Sequence, residues 1–162
     1  LNLTISYNPQ GSNADSETGY GFNYTGVAGL SLSYATTDIE SGSATTSGDN
    51  TAYKASYAYG PVTVSYSDME ASVSAAANAL DGTSTSYAVS YTVSDELSVT
   101  YGSETHDQGD SSVDMDVEGV SVSYTAGGMT ITGKMQSLDN GDFATGTTND
   151  ADYWALGASF AF

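Results

Sequence analysis

Large apolar or aromatic residues alternate with small polar ones along nearly the whole chain. A period of two residues admits strands and leaves almost no place for helices. Leu1, Leu3, Ile5 and Tyr7 alternate with Asn2, Thr4 and Ser6, and the same grammar returns in Leu30, Leu32, Tyr34 and in Val62, Val64, Tyr66. Further copies are Tyr20, Phe22, Tyr24; Tyr53, Ala55, Tyr57, Tyr59; Tyr87, Val89, Tyr91, Val93; and Leu97, Val99, Tyr101. Val120, Val122, Tyr124, then Met129, Ile131, and finally Trp154, Leu156, Phe160, Phe162 complete a set of ten predicted strands.

The links between these runs alternate in length. Gly26 to Gly29, Gly60-Pro61, Ser94 to Glu96 and Ala126 to Gly128 supply the turn chemistry of tight hairpins. Between them lie longer links rich in Gly, Ser, Thr, Asn and Asp, at about 9 to 17, 38 to 50, 68 to 82, 103 to 114 and 138 to 150. Of the 20 acidic residues only two, Asp95 and Glu96, fall in a short turn, so the other 18 gather at the opposite end of the sheet. Short turns at one end and long polar loops at the other, joined by strands of about ten residues, predict an all-β antiparallel transmembrane barrel.

A soluble antiparallel sandwich also alternates, but it clothes its wet face with Lys, Glu, Arg and Gln. Here the second face carries Thr4, Ser6, Asn23, Thr25, Ser31, Ser33, Ser56, Thr63, Ser65, Ser90, Ser98, Ser121, Ser123 and Ser159. Side chains this small leave room for water inside a barrel. Tyrosines recurring toward strand ends suit rings in lipid and hydroxyls among headgroups. Two Lys and no Arg against 20 acids give a net charge of −18, which excludes nucleic acid as a partner. Without cysteine there is no disulfide framework or thiolate chemistry. No apolar run reaches the length of a membrane-spanning helix, and no signal peptide opens the chain at Leu1, which predicts a processed chain or a fragment.

The closing run Tyr153-Trp154-Ala155-Leu156-Gly157-Ala158-Ser159-Phe160-Ala161-Phe162 resembles the final strand of Gram-negative outer-membrane porins. In that family the glycine and the two terminal aromatics are read by the barrel assembly machinery, so the resemblance implies an assembly signal at Gly157, Phe160 and Phe162. The acidic, Gly/Ser-rich loops resemble general porins of marine or α-proteobacterial type. What the resemblance implies is a passive diffusion channel for ions and small hydrophilic solutes in the cell outer membrane, set among lipid and lipopolysaccharide. It also implies a homotrimer, with short turns periplasmic and acidic loops extracellular. Such porins usually have 16 strands and a long loop folded into the lumen. Ten strands are readable over 1–162 and no link is long enough for that loop, so the chain is expected to be the C-terminal part of such a barrel.

Lys54, flanked at two-residue spacing by Ala52 and Ser56, and Lys134, flanked by Thr132 and Gln136, fall by parity on the small-residue row. They are the expected pore-lining charges. The acids outnumber them and predict a modest preference for cations. Asp139-Asn140-Gly141-Asp142 and Asp114-Met115-Asp116-Val117-Glu118 group hard oxygen ligands, but neither is a complete calcium loop, and no metal or cofactor is expected. Two other readings are weighed. Glu104-x-His106 with Asp114-x-Asp116 is similar to the acid-His and aspartate pairs of omptin outer-membrane proteases, although both pairs flank one loop and the acid is Glu where that family has Asp. An extracellular adhesive or structural β-protein would suit the Ser/Tyr alternation, but no fixed solenoid period appears. No catalytic residue is assigned, and the chain is not expected to be an enzyme.

Overall fold

In the computed structural model, residues 1–9, 16–41, 47–73 and 81–161 are described. Ten strands follow one another: β1 Asn2–Asn8, β2 Ser16–Tyr24, β3 Leu30–Glu40, β4 Gly48–Tyr59, β5 Val62–Val73, β6 Gly82–Thr92, β7 Leu97–Gln108, β8 Met115–Ala126, β9 Met129–Asp139 and β10 Ala151–Phe160. All pair antiparallel with their neighbours in sequence, in a single sheet ordered β1 to β10. Among the described residues a 3-10 turn, Gly141–Phe143, lies between β9 and β10. No described helix is long and apolar enough to cross a membrane, which says nothing of strands.

Register fixes which side chains share a face, because antiparallel partners point the same way and successive residues point opposite ways. Phe22 pairs with Tyr34 and Tyr34 with Tyr53; Val64 pairs with Val89, and Val89 with Tyr101. Val120 pairs with Met135, and Met135 with Trp154, so one face carries the large residues from end to end. That outer face has no cover: among the described residues no apolar side chain is buried, and Ile5 is 82%, Trp154 75% and Leu156 74% exposed. In water, contiguous exposure of this kind is an aggregation surface; in lipid it is the favourable arrangement. The sheet therefore has no interior of its own, and its apolar surface is directed outward.

Aromatic rings fall in two tiers on the outer face. Tyr24, Tyr59, Tyr91 and Tyr124 lie toward the short turns, while Tyr20, Tyr34, Tyr53, Tyr87 and Tyr101 lie higher. The upper rings touch, with centroids 5.2 Å apart for Tyr34 and Tyr53 and 6.4 Å for Tyr87 and Tyr101. From Tyr53 to Tyr59 the strand rises about 20 Å before tilt is considered.

The short turns fall where Gly and Pro punctuate the sequence, with Gly29, Gly60, Gly127 and Gly128 in the left-handed backbone region that glycine enters without penalty. The long links are shorter than their composition suggests. β3 continues through Asp38 to Glu40, β5 through Asp68 and Glu70, β7 through Glu104 and Asp107, and β8 begins before Asp116 and Glu118. Polar residues carry the strands onward because cross-strand pairing satisfies their backbone groups as well as it does those of Val or Tyr. On the outer face these carboxylates are bonded within the sheet: Thr85 donates to Asp68 at 2.9 Å and Tyr101 to Glu118 at 2.9 Å.

Candidate functional site

The second face is the inner wall, and register assembles it from small residues. Ser33 faces Lys54 and Lys54 faces Ser67; Ser67 in turn faces Ser86. Further along, Ser98 pairs with Ser123, Ser123 with Thr132 and Thr132 with Gly157. Hydroxyls bond across the strands, at 2.7 Å for Ser67 and Ser86 and 2.8 Å for Ser90 and Thr100, while Asn23 donates to Ser33 at 2.8 Å. Such pairs hold the wall's polar groups flat against the sheet and leave the space above it to solvent. Glycine is required at several points: a Cβ on Gly21 would lie 2.6 Å from the Tyr34 carbonyl oxygen, and one on Gly119 2.5 Å from that of Met135.

Both lysines stand on this wall, and both are exposed. Lys134, paired with Ser121 and Ala155, sets its ammonium 4.9 Å from the centroid of the Tyr153 ring, which is also on the inner face. Lys54 and Lys134 lie in β4 and β9, far apart along the sheet, so they form no joint cluster. Gly157 is on the inner row and Phe160 on the outer, where it pairs with Met129. Phe162 lies outside the described residues.

Near the long-loop end the inner wall changes character. Ser84 donates to Glu104 Oε1 at 2.9 Å, and His106 Nε2 lies 3.3 Å from the same oxygen. These three side chains face inward from β6 and β7. Asp116 faces outward, where Thr105 donates to it at 2.6 Å, and Asp114 lies beside Asp107 and Asp116. The acid-His pair and the aspartate pair thus occupy opposite faces of the sheet and cannot converge on one water, as the omptin-like arrangement requires. Among the described residues no three carboxylate or imidazole groups converge on a cation-sized site. Partial withdrawal from water, followed by the nearby carboxylates Asp107 and Asp116, holds the Asp114 carboxyl above its ordinary pKa.

The link from β9 to β10 is the feature that sequence reasoning missed. Phe143, which the sequence did not single out, lines a cavity of about 510 Å³ on the inner wall, together with residues from β3 to β8. Asn140, Asp142 and Phe143 have φ of 55°, 57° and 54°. Asn140 donates to the Asp114 carbonyl at 3.1 Å, Asp150 accepts from the Asn140 amide at 3.0 Å, and Ser111 donates to the Phe143 carbonyl at 3.4 Å. A Cβ on Gly141 would sit 2.6 Å from the Asn149 carbonyl oxygen, so the tight return of this loop needs glycine there. The one sequence signal for the turn is Asn140-Gly141-Asp142, residue types that tolerate left-handed backbone.

No protein-family model and no curated protein matches the chain by sequence. Among solved structures, a porin refined at 1.8 Å resolution is similar over 90% of this chain, at 21% identity and a TM-score of 0.63. The chain spans about half of that porin, 51% of its length. An antiparallel sheet with an apolar outer face and a small-residue inner wall, superimposable on half of a solved porin, is a porin-like fold.

Proposed function

We propose that the chain is a wall sector of an outer-membrane diffusion porin, through which ions and small hydrophilic solutes pass down their gradients without covalent chemistry. The observation that carries this reading is the contrast between faces. The outer face exposes Leu3, Ile5, Tyr57, Met135 and Trp154, whereas the inner wall is mostly Ser, Thr, Gly and Ala with two lysines, joined toward the long loops by Glu104, His106 and Met69. A wall of this kind separates lipid from water, and the solved porin of similar fold supports the same reading.

In this reading residues 1–162 belong to one transmembrane barrel domain that contributes ten strands to a larger barrel of the 16-stranded kind, assembled as a homotrimer. The short turns face the periplasm. The acidic loops face outward toward lipopolysaccharide, and Gly157, Phe160 and Phe162 present the ending that the assembly machinery recognises. Lys54 and Lys134 are pore-lining charges, opposed by an excess of carboxylates that favours cations.

Single-channel recording of the purified protein in a planar bilayer tests the reading. Large, steady steps in KCl, with a reversal potential of cation-preferring sign under a salt gradient, are expected. A protein that inserts but never conducts overturns the diffusion channel, and an anion-preferring reversal overturns the charge assignment alone.

A further inference from the structure

Nearer the short turns the inner wall holds a second hollow, of about 350 Å³, which is lined by charges of both signs: Glu104 from β7 and Lys134 from β9. Between them the floor is Gly102 and Gly119, a directly paired rung flanked by Ala88 and Gln136. The two glycines are bare for different reasons. Gly119 has no room for a side chain, since its Cβ would lie 2.5 Å from the Met135 carbonyl oxygen. A Cβ on Gly102 would meet nothing nearer than 3.7 Å, and the register runs unbroken through it from β6 to β8, so neither crowding nor a bulge explains it. Glycine weakens a strand interior, and where those causes are absent it marks close approach to the backbone from outside the sheet.

The charges at either end of this floor are placed to hold such a visitor. Among the described residues the Lys134 ammonium meets no carboxylate, only the ring of Tyr153. Glu104 is anchored by the Ser84 hydroxyl at 2.9 Å and by His106 at 3.3 Å, and its side chain is 45% exposed. Lys134 pairs with Ser121 and Glu104 with Val117, so the two stand two strands and four residues apart. Strand spacing and rise put about 16 Å between their Cα atoms. The side chains reach into the hollow and shorten that span. What remains exceeds the charge separation within one amino acid and suits an extended peptide of two or three residues, which advances about 3.4 Å per residue.

We propose that this hollow binds short zwitterionic peptides, with the carboxylate toward Lys134, the ammonium toward Glu104 and the peptide backbone over Gly102. The Ser121 hydroxyl and the Gln136 amide line the same hollow and offer hydrogen-bond partners to the peptide groups. A solute with a single charge engages only one end. The proposal rests on the channel reading for the hollow's place along a solute path, but not for its ability to bind. The site would make the wall retentive for one solute class while leaving other solutes to pass freely.

Trialanine is the probe. Its binding to the detergent-solubilised full protein is measured by saturation-transfer NMR at low ionic strength, beside N-acetyl-trialanine, which lacks the ammonium, and trialanine amide, which lacks the carboxylate. In parallel, KCl currents are recorded with and without the probe. Trialanine is expected to bind about threefold more tightly than either blocked form, as expected for one partly exposed charge pair, and to produce brief current blocks. Gly102→Leu, which fills the floor, should weaken binding about tenfold. Lys134→Met should weaken it about fivefold and Glu104→Gln about threefold. Equal binding of either blocked form, or binding unchanged in Lys134→Met or in a folded Gly102→Leu, overturns the proposal. Where Gly102→Leu fails to fold, the two charge variants decide alone. A conducting protein that binds none of the peptides overturns the site and leaves the channel standing. Lys134-dependent binding by a protein that never conducts keeps the site and removes the channel.

Discussion

Across β7 to β10, Val99, Val122, Gly133 and Leu156 form one rung of the sheet, and Ser98, Ser123, Thr132 and Gly157 form the adjacent rung on the other face. The two rungs share backbone, hydrogen bonding and twist, and differ only in the side chains they present. Nothing in the strand geometry makes one side oily and the other wet, so the medium on each face is set by residue parity alone. The difference teaches that this molecule is organised by solvent on two sides of one layer and not by a core between layers.

The strongest way to break the comparison is to put the same charge on both rungs. Val122→Lys should destabilise the membrane-embedded protein by about 2–4 kcal/mol, the cost of a lysine facing lipid near mid-depth. Ser123→Lys should change stability by less than about 0.5 kcal/mol, because its new charge meets water. Denaturant unfolding in lipid vesicles checks both, and equal costs would mean that the faces are not solvated as assigned. Glycines give a second test. Gly119→Val on the inner wall drives side-chain atoms toward the Met135 carbonyl and should cost about 1–3 kcal/mol. Gly133→Val on the outer face meets open space and should be neutral or stabilising by up to about 1 kcal/mol in the same assay.

Charge reversal on the inner wall gives a functional measure. Lys54→Glu with Lys134→Glu should move the reversal potential further toward cation preference without changing stability measurably, whereas the same change would be silent if both ammonium groups lay outside the conducting path. The smallest effect concerns the loops. Because the folded-state pKa of Asp114 is raised, the folded loop pair favours the protonated carboxyl. Its contribution is full below the unfolded pKa and fades as pH rises through the folded one. Protection of the Asn140 and Phe143 amides, relative to the intrinsic exchange rate at each pH, should therefore rise on acidification, and Asp114→Asn should remove that rise.

The strands, the short turns and the assignment of faces were legible in the sequence because each depends on local chemistry: a period of two, and Gly or Pro where the chain must reverse. Strand ends were less legible. Asp68, Glu70, Asp116 and Glu118 look like loop residues by composition, but their neighbours in adjacent strands offer pairing, and tertiary context prevails over propensity. The separation of Glu104 and His106 from Asp116 follows from the same alternation once β7 and β8 are known to run unbroken through these positions. Phe143 was not legible, because its position depends on a run of left-handed dihedrals and on two hydrogen bonds with a different loop, one accepted by Phe143 and one donated by Asn140.

Among the described residues each strand bonds to its neighbours in sequence, and to no other strand. A wall woven in this way behaves as a modular fabric whose unit is the hairpin. One hairpin more or fewer would change the circumference and leave each remaining seam as it was, much as repeat proteins lengthen without redesigning their contacts. In the channel reading, heritable change in bore can then come from duplication or loss of a hairpin, with no need for concerted substitution across distant parts of the chain.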